Sequence, residues 1–324
     1  MQRRILIGSM VAMTVGLLGQ ANAQSDGTFP SRPIRMVVPY PAGGPVDAAA
    51  RTVAKGMTEH LGQQVVVDNK SGAGGTLGTA EVVKSKADGY TILFTLPDPL
   101  TSATSLFKHV PYNALKDLAP ISVIATTPPA MVLRNDAPIK DLKALGPNAP
   151  TMSFGTWGPG SFPHLIASAL ARDTGANINI IAYRGSAPSV QDFMGGHIQM
   201  TIAGLPNAQD IEAKGLGKIV AIASTQRSKV VPNVPTFLEL GFTDPAFTVP
   251  SWVGVAAPAG TPAPVQQRLH AAAVASLKTA DMDRFLNSFG WNPVGNTPAE
   301  FRASLEREIP LVTDALRKAG VKPE

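Results

Sequence analysis

Cysteine is absent from the 324 residues. That removes disulfides, thiolate metal sites and cysteine nucleophiles together. A chain of this length can bury large cores and needs no covalent staples. Charge is also sparse, at 16% of residues against about 25% in an average domain. No Lys/Arg cluster with interleaved aromatics occurs, so nucleic acid is not an expected partner. The net charge of +5 suits an anionic ligand without demanding one. Histidines are few and scattered (His60, His109, His164, His197, His270), with no HExxH and no close pair. Neither a metal nor any other cofactor is expected. Beyond the N-terminus no long apolar run exists, because Gly, Pro or charge breaks each one.

The N-terminus itself reads as a secretory signal. Arg3 and Arg4 are followed by the apolar run Ile5 to Leu18 and by Ala21-Asn22-Ala23, the basic, apolar and small-residue order of such signals. The run is shorter than the roughly 20 residues of a spanning helix. Residues 1–23 are expected to be removed near Ala23-Gln24, giving an exported, periplasmic protein. The remaining length suggests roughly two domains of about 150 residues each. With 30 Gly and 29 Pro, tight loops between short elements are expected.

Short β-branched runs alternate with helical patterns, which argues for an α/β architecture with largely parallel sheets. Strands are expected at 33–38, 64–68, 90–95, 121–126, 131–134, 151–154, 178–182, 198–202 and 218–223. The first helix is clear: Val46, Ala49, Ala50, Val53, Ala54, Met57 and Leu61 share one face, and Gly62 ends it. Thr297 with Glu300 predicts a capping box for a helix over 298–319, and Pro310 should kink that helix. Thr127-Pro128-Pro129 reads as a crossing into a second lobe, and the Pro-rich stretch 245–262 as the return. The lobes are then 24–128 with 249–324, and 129–248.

One device recurs. A strand ends in a small-residue loop that opens a helix at 41–45, 71–76, 155–161 and 185–188. Helix N-termini carry unpaired N–H groups and a positive dipole end, and glycine lets a ligand approach the backbone. Two such loops facing each other could hold an anion without an arginine clamp. Each loop also has a plainer reading as a tight turn. Asp47 reads as charge compensation for a helix start, Ser161 and Ser186 as helix caps, and His164 as structural. Arg184 could pair with a carboxylate or simply be solvated. Trp157, among glycines and prolines, is an alternative to core: an apolar wall for the ligand.

The run "PYPAGGPVD" from Pro39 resembles the periplasmic solute-binding component of tripartite tricarboxylate transporters, often called the Bug family. So do "LGQQVVVDNKSGAGGTLG" from Leu61, "ADGYTILF" from Ala87, "AYRGSAPSVQDFMGGHIQM" from Ala182 and "WVGVAAPAGTP" from Trp252. The resemblance covers the mature chain in order. It implies a periplasmic-binding-protein-like type II fold, two α/β lobes with a ligand cleft between them, closing on a small carboxylate. It also implies membrane permease subunits as partners, and a monomer is expected. Family binding loops carry over to Ala42, Gly43, Gly44, Ala73, Gly74 and Thr95 in one lobe, and to Thr156, Ser161, Gly185 and Ser186 in the other. Two departures matter. Thr156-Trp157-Gly158 stands where the family often has Ser-Ser-Gly, and Ala203 where it often has an acidic residue. Trp157 and Ala203 together favour an apolar or aromatic carboxylate over an amino acid.

Three rival readings exist. A dinucleotide enzyme would need a third glycine at Leu77, where the spacing after Gly72 and Gly74 fails. A serine hydrolase would need a Gly-x-Ser-x-Gly elbow, which is missing; Ser161 and His164 share one helix start with nothing to orient the imidazole. No enzyme is therefore expected. A ligand-binding subunit of a membrane sensor has the same fold and site, and the sequence leaves it open.

Overall fold

The computed structural model of the protein describes residues 29–249 and 251–323; the expected signal segment lies outside them. Strand β1 (Ile34–Val38) illustrates how the sheets form. Successive side chains point to opposite faces of a strand. Ile34, Met36 and Val38 enter one buried cluster and Val37 another on the opposite face. A strand covered by helices on both sides reads as an unbroken apolar run, as this one does.

Helix α1 (Pro45–Leu61) follows, with proline at its first position and Gly62 in the left-handed region at its end. Next come β2 (Val65–Asn69), α2 (Thr76–Val83) and β3 (Thr91–Thr95). Three short helices, α3 (Asp98–Thr101), α4 (Ala103–Leu106) and α5 (Ala114–Asp117), lead to β4 (Leu118–Thr126). A second series holds β5 (Ala130–Arg134), β6 (Met152–Thr156), α6 (Phe162–Thr174), β7 (Ile178–Ala182), α7 (Ser186–Met194), β8 (Met200–Ala203), α8 (Leu205–Ala213) and β9 (Gly217–Ile222). The chain then forms β10 (Trp252–Pro258), α9 (Ala263–Ser276), α10 (Ala280–Phe289), β11 (Asn292–Pro293) and α11 (Pro298–Lys318).

Two sheets result, ordered β11-β4-β10-β3-β1-β2 and β7-β6-β8-β5-β9. Helices α1, α9 and α10 cover one face of the first sheet, and α2 with the start of α11 covers the other. In the second, α6 covers one face and α7 with α8 the other. This is the bilobed type II periplasmic-binding-protein architecture. The sheets are mixed, not largely parallel. β10 runs antiparallel to both β3 and β4, and β5 antiparallel to both β8 and β9. These reversals arise because β5 and β10 are the strands on which the chain enters a new sheet.

Helix α11 has the expected capping box, with Thr297 Oγ1 accepting from the Glu300 amide and Glu300 accepting from the Thr297 amide. Pro310 lacks an N–H, yet the helix continues through it. Phe301 and Leu305 at its start pack in the first lobe, whereas Val312 and Leu316 pack in the second. Beside the two chain crossings, α11 is thus a third tie between lobes.

Candidate functional site

The topology places the loops. In the first sheet, β1 leads to β2 on one side, and β2 leads back across β1 to β3. The connections therefore diverge between β1 and β3, the point where open α/β sheets bind ligands beyond their carboxyl ends. In the second sheet, β6, β7 and β8 repeat this pattern, with divergence between β6 and β8. The chain leaves the first sheet at Thr126 and enters the second at Ala130. Thr126 pairs with Trp252 of β10, whose Gly254 pairs with Thr95 at the end of β3. Ala130 pairs with Ala203 at the end of β8. Both crossings thus join the carboxyl ends of the parallel strands, so the two sets of loops face each other across one crevice. At the crossings, the Thr127 amide donates to the Ser251 carbonyl and the Thr127 hydroxyl to the Ser251 hydroxyl, each at 2.7 Å.

The loop after β1 is braced from beneath. Buried Asp47 accepts from the Gly43 amide at 2.9 Å, from Arg51 Nε at 3.0 Å and from Asn69 Nδ2 at 3.0 Å. Asn69 also donates to the Tyr40 carbonyl at 3.1 Å. Burial opposes charge on Asp47, but these donors and the Arg51 charge outweigh it and hold the carboxyl below its usual range. Asp47 is therefore more than charge compensation. The Gly43 amide is committed to it, whereas the amides of Gly44, Val46 and Asp47 meet no protein acceptor among the described residues. Ala42 and Gly43 are exposed, and the missing Gly43 side chain would point into open space.

Beside this loop, Ala73 and Gly74 are exposed. Ala73 has φ +44, which glycine would adopt more readily, and is the one non-glycine with positive φ among the described residues. Such strain persists where the surroundings enforce it and collects at binding sites. A concavity of about 550 Å³ adjoins Ala73, lined by Thr76, Leu77, Phe107 and His109 among others; all its walls come from the first lobe. Thr95 is fully buried at the end of β3; its hydroxyl donates to the Leu96 carbonyl at 3.0 Å and lies 3.3 Å from the Tyr40 hydroxyl. Tyr40 thus bridges the divergence point from β1 to β3.

Trp157 makes the equivalent bridge in the second lobe. Its Nε1 donates to the Ile202 carbonyl of β8 at 3.1 Å, and the half-buried indole packs on the core. Thr156 is buried, its hydroxyl 3.4 Å from the Ile181 carbonyl. Ser161 occupies the cap position of α6, but its hydroxyl donates back to the Gly158 carbonyl at 2.8 Å. The cap of α7 is Gly185, and Ser186 is its first helical residue. The Gly185 amide is tied to the Trp157 carbonyl, while the Ser186 and Ala187 amides have no protein acceptor among the described residues. Ala203 is fully buried in the core with Ala130 and Leu205, so its side chain faces away from the crevice. Arg184 is exposed.

Three features leave no local mark in the sequence. The Gly160 amide donates to His164 Nδ1 at 2.7 Å, and burial lowers the His164 pKa, favouring the neutral ring this bond requires. Tyr183 donates to Asp192 at 2.6 Å; burial first, then that carboxylate, push the phenol up to about 12. Asp98, just past β3, is held above the usual carboxylate range by burial. Among the described residues no three His, Cys, Asp or Glu side chains gather to hold a metal. No helix there is long and apolar enough to cross a membrane.

Residues 49–308 match the family described as "Tripartite tricarboxylate transporter family receptor". Protein BugT of Bordetella pertussis is 34% identical over 319 residues, covering 97% of each chain. The solved structure of the periplasmic binding protein BugD is 32% identical, with TM-score 0.76, over 91% of this chain and all of the other. An R. palustris protein solved with adipate is 29% identical, with TM-score 0.80, over 91% of this chain and all of the other.

Proposed function

Because the chain belongs to the tripartite tricarboxylate transporter receptor family, we propose that its crevice captures a small carboxylate and presents it to membrane permease subunits. It is a periplasmic solute receptor and not an enzyme. The observation that carries the ligand class is the pair of facing loop sets. Each ends in helix N-termini with free amides, and in the second the exposed Arg184 adds a cation next to Gly185. A relative of the same fold holds adipate, a dicarboxylate.

We assign the lobes to 24–128 with 249–324 and to 129–248. Ala42 to Gly44, Ala73 and Gly74 would meet the ligand from one lobe, and Gly185 and Ser186 from the other. Trp157 and Ser161 would form the wall, and Thr95, Thr156 and Ala203 the support behind. Ligand shifts the lobes toward closure only by touching both, so a monomer suffices. A wall of indole at Trp157 favours an apolar or aromatic acid over an amino acid.

Gly44→Asp is the test. Gly44 has φ −82, which any residue adopts, and the nearest atom to an added Cβ is the Pro41 carbonyl oxygen at 3.8 Å. The variant should fold and lose binding to adipate and benzoate. Wild-type protein should gain about 2.7 kcal/mol at a hundredfold excess of ligand over Kd. Normal carboxylate affinity in the variant would refute the assignment.

A further inference from the structure

The concavity of about 550 Å³ beside Ala73 lies in the volume range of small-molecule sites, which are mostly apolar with a few placed polar groups. Two stretches of the first lobe wall it: Ala73 with Thr76 and Leu77 on one side, and Phe107 to Pro111 on the other. Leu77 is 60% exposed, the most of any large apolar side chain among the described residues. Its Cδ1 lies 2.6 Å from where a Gly72 side chain would begin, and the Phe107 ring lies 3.4 Å from the same point of Gly74. The apolar wall therefore starts on the loop assigned to the ligand, and it includes Ala73 with its strained φ of +44.

The polar groups of the concavity are two basic side chains. The Thr76 hydroxyl is spent on the Ala73 carbonyl, at 2.8 Å. Lys108 and His109 are exposed and make no ion pair or side-chain hydrogen bond among the described residues. Arg51 and Lys70, which flank the same loops, are by contrast paired with Asp47 and Asp68. The segment also stands next to the second lobe. Leu106, the residue before Phe107, packs on the second lobe's core and meets Gly160. Phe107, Lys108 and His109 thus leave an interlobe contact directly, which puts the concavity at the edge of the crevice.

Resting on the carboxylate reading above, we propose that this concavity is a second subsite for the same ligand. One carboxylate is held by the helix-start amides, an apolar spacer lies across Ala73, Leu77 and Phe107, and a second carboxylate meets Lys108 and His109. The ligand class is then an elongated α,ω-dicarboxylate. Its spacer gains by leaving water on the apolar wall, and its far end gains from two basic groups that have no other partner. A monocarboxylate of the same length would leave those groups empty.

The experiment is titration calorimetry of the full mature chain with adipate, suberate and sebacate, each against the monoacid of equal length: hexanoate, octanoate and decanoate. The preference for diacid over monoacid should rise with length to about three- to tenfold, the scale of one or two solvent-exposed ion pairs, and shrink in high salt. In Lys108→Gln/His109→Gln the preference should collapse to near one through loss of diacid affinity. Both side chains are exposed and unpaired, so this variant should melt with wild type. Leu77→Glu puts a like charge in the concavity and should turn the preference against the diacid. Equal binding within each pair by wild type, or a preference unchanged in Lys108→Gln/His109→Gln, overturns the subsite and leaves the receptor reading intact. An equal loss for diacid and monoacid in that variant also overturns it, since the two side chains would then act on any anion from a distance. If wild type binds none of these acids, the carboxylate reading falls and this proposal with it.

Discussion

Glu308 is a buried carboxyl, 6% exposed, on the part of α11 that passes between lobes. Its Oε2 accepts from Trp252 Nε1 at 2.9 Å. Burial pushes the carboxyl from 4.5 up to about 7, against the smaller opposing effects of the indole donor and Arg307. The folded protein therefore holds this proton more tightly than the unfolded chain. Below pH 4.5 both states carry it and its contribution is complete. Between 4.5 and 7 the unfolded chain releases the proton first, so stability falls as pH rises, and above 7 the contribution is gone. At about 1.4 kcal/mol for each pH unit between the two values, the loss is about 3 kcal/mol. Glu308→Gln keeps an acceptor for the indole and removes the titration. Its advantage over wild type should open from near zero at pH 4.5 to about 3 kcal/mol at pH 8, or about 5 °C in Tm. Thermal unfolding followed by circular dichroism across that range measures it. Parallel pH curves for the two proteins, or a variant less stable at pH 8, would refute the reasoning.

Two further outcomes follow from the loops. Gly160 has φ +67, and an added Cβ would run into Leu106 of α4 and meet Leu316 of α11 at 3.0 Å. Gly160→Ala should therefore cost about 1–3 kcal/mol from strain and overpacking, read in urea denaturation. A loss below about 0.5 kcal/mol would place the contact elsewhere. Asp47→Ala frees the Gly43 amide and removes the brace on the 41–44 loop. It should cost about 1–3 kcal/mol in stability, because the donors it leaves lose their acceptor while Arg51 itself stays solvated, and weaken carboxylate binding more than Thr297→Ala, a distant cap removal worth about 1 kcal/mol. Equal binding in the two variants would show that the brace does not matter to the loop.

Much of the fold could be read from periodicity. Helix α1 appears in its apolar face, its Pro45 start and its Gly62 stop, because all three signals are local. Ile178–Ala182 is likewise legible at its observed limits. β10 is not, although it is the antiparallel strand at the heart of the first sheet. Gly254, Pro258 and the flanking prolines make its stretch look like a connection. Its strand character comes from pairing with β3 and β4, a long-range fact no local pattern carries. Helix α10 leaves little local signal because its composition is polar, and only its Met282, Phe285 and Leu286 stripe is buried. In the site, the strand-loop-helix device was visible, but which amides are free was not. Asp47 reaches back to Gly43, and Ser161 turns to Gly158 instead of capping; both depend on side-chain direction. The resemblance points to Ala203, but its Cβ faces the core because alternation along β8 sends it there.

The two lobes solve one problem twice. In each, an aromatic residue beyond the first strand spans the divergence point and bonds to the strand across it: Tyr40 to Thr95, Trp157 to the Ile202 carbonyl. These bridges fix the loops above them without using the helix-start amides, which stay open on both sides. Either lobe alone offers only a few neutral donors, each worth about 0.5–1.5 kcal/mol net, too little to hold a small anion against water. On the proposed reading, the two sets would act on one ligand across the crevice, with combined contacts only when the lobes are together. The two crossings are tied to each other by the Thr127–Ser251 hydroxyl pair, and α11 packs on both halves, with its ladder interrupted at Pro310.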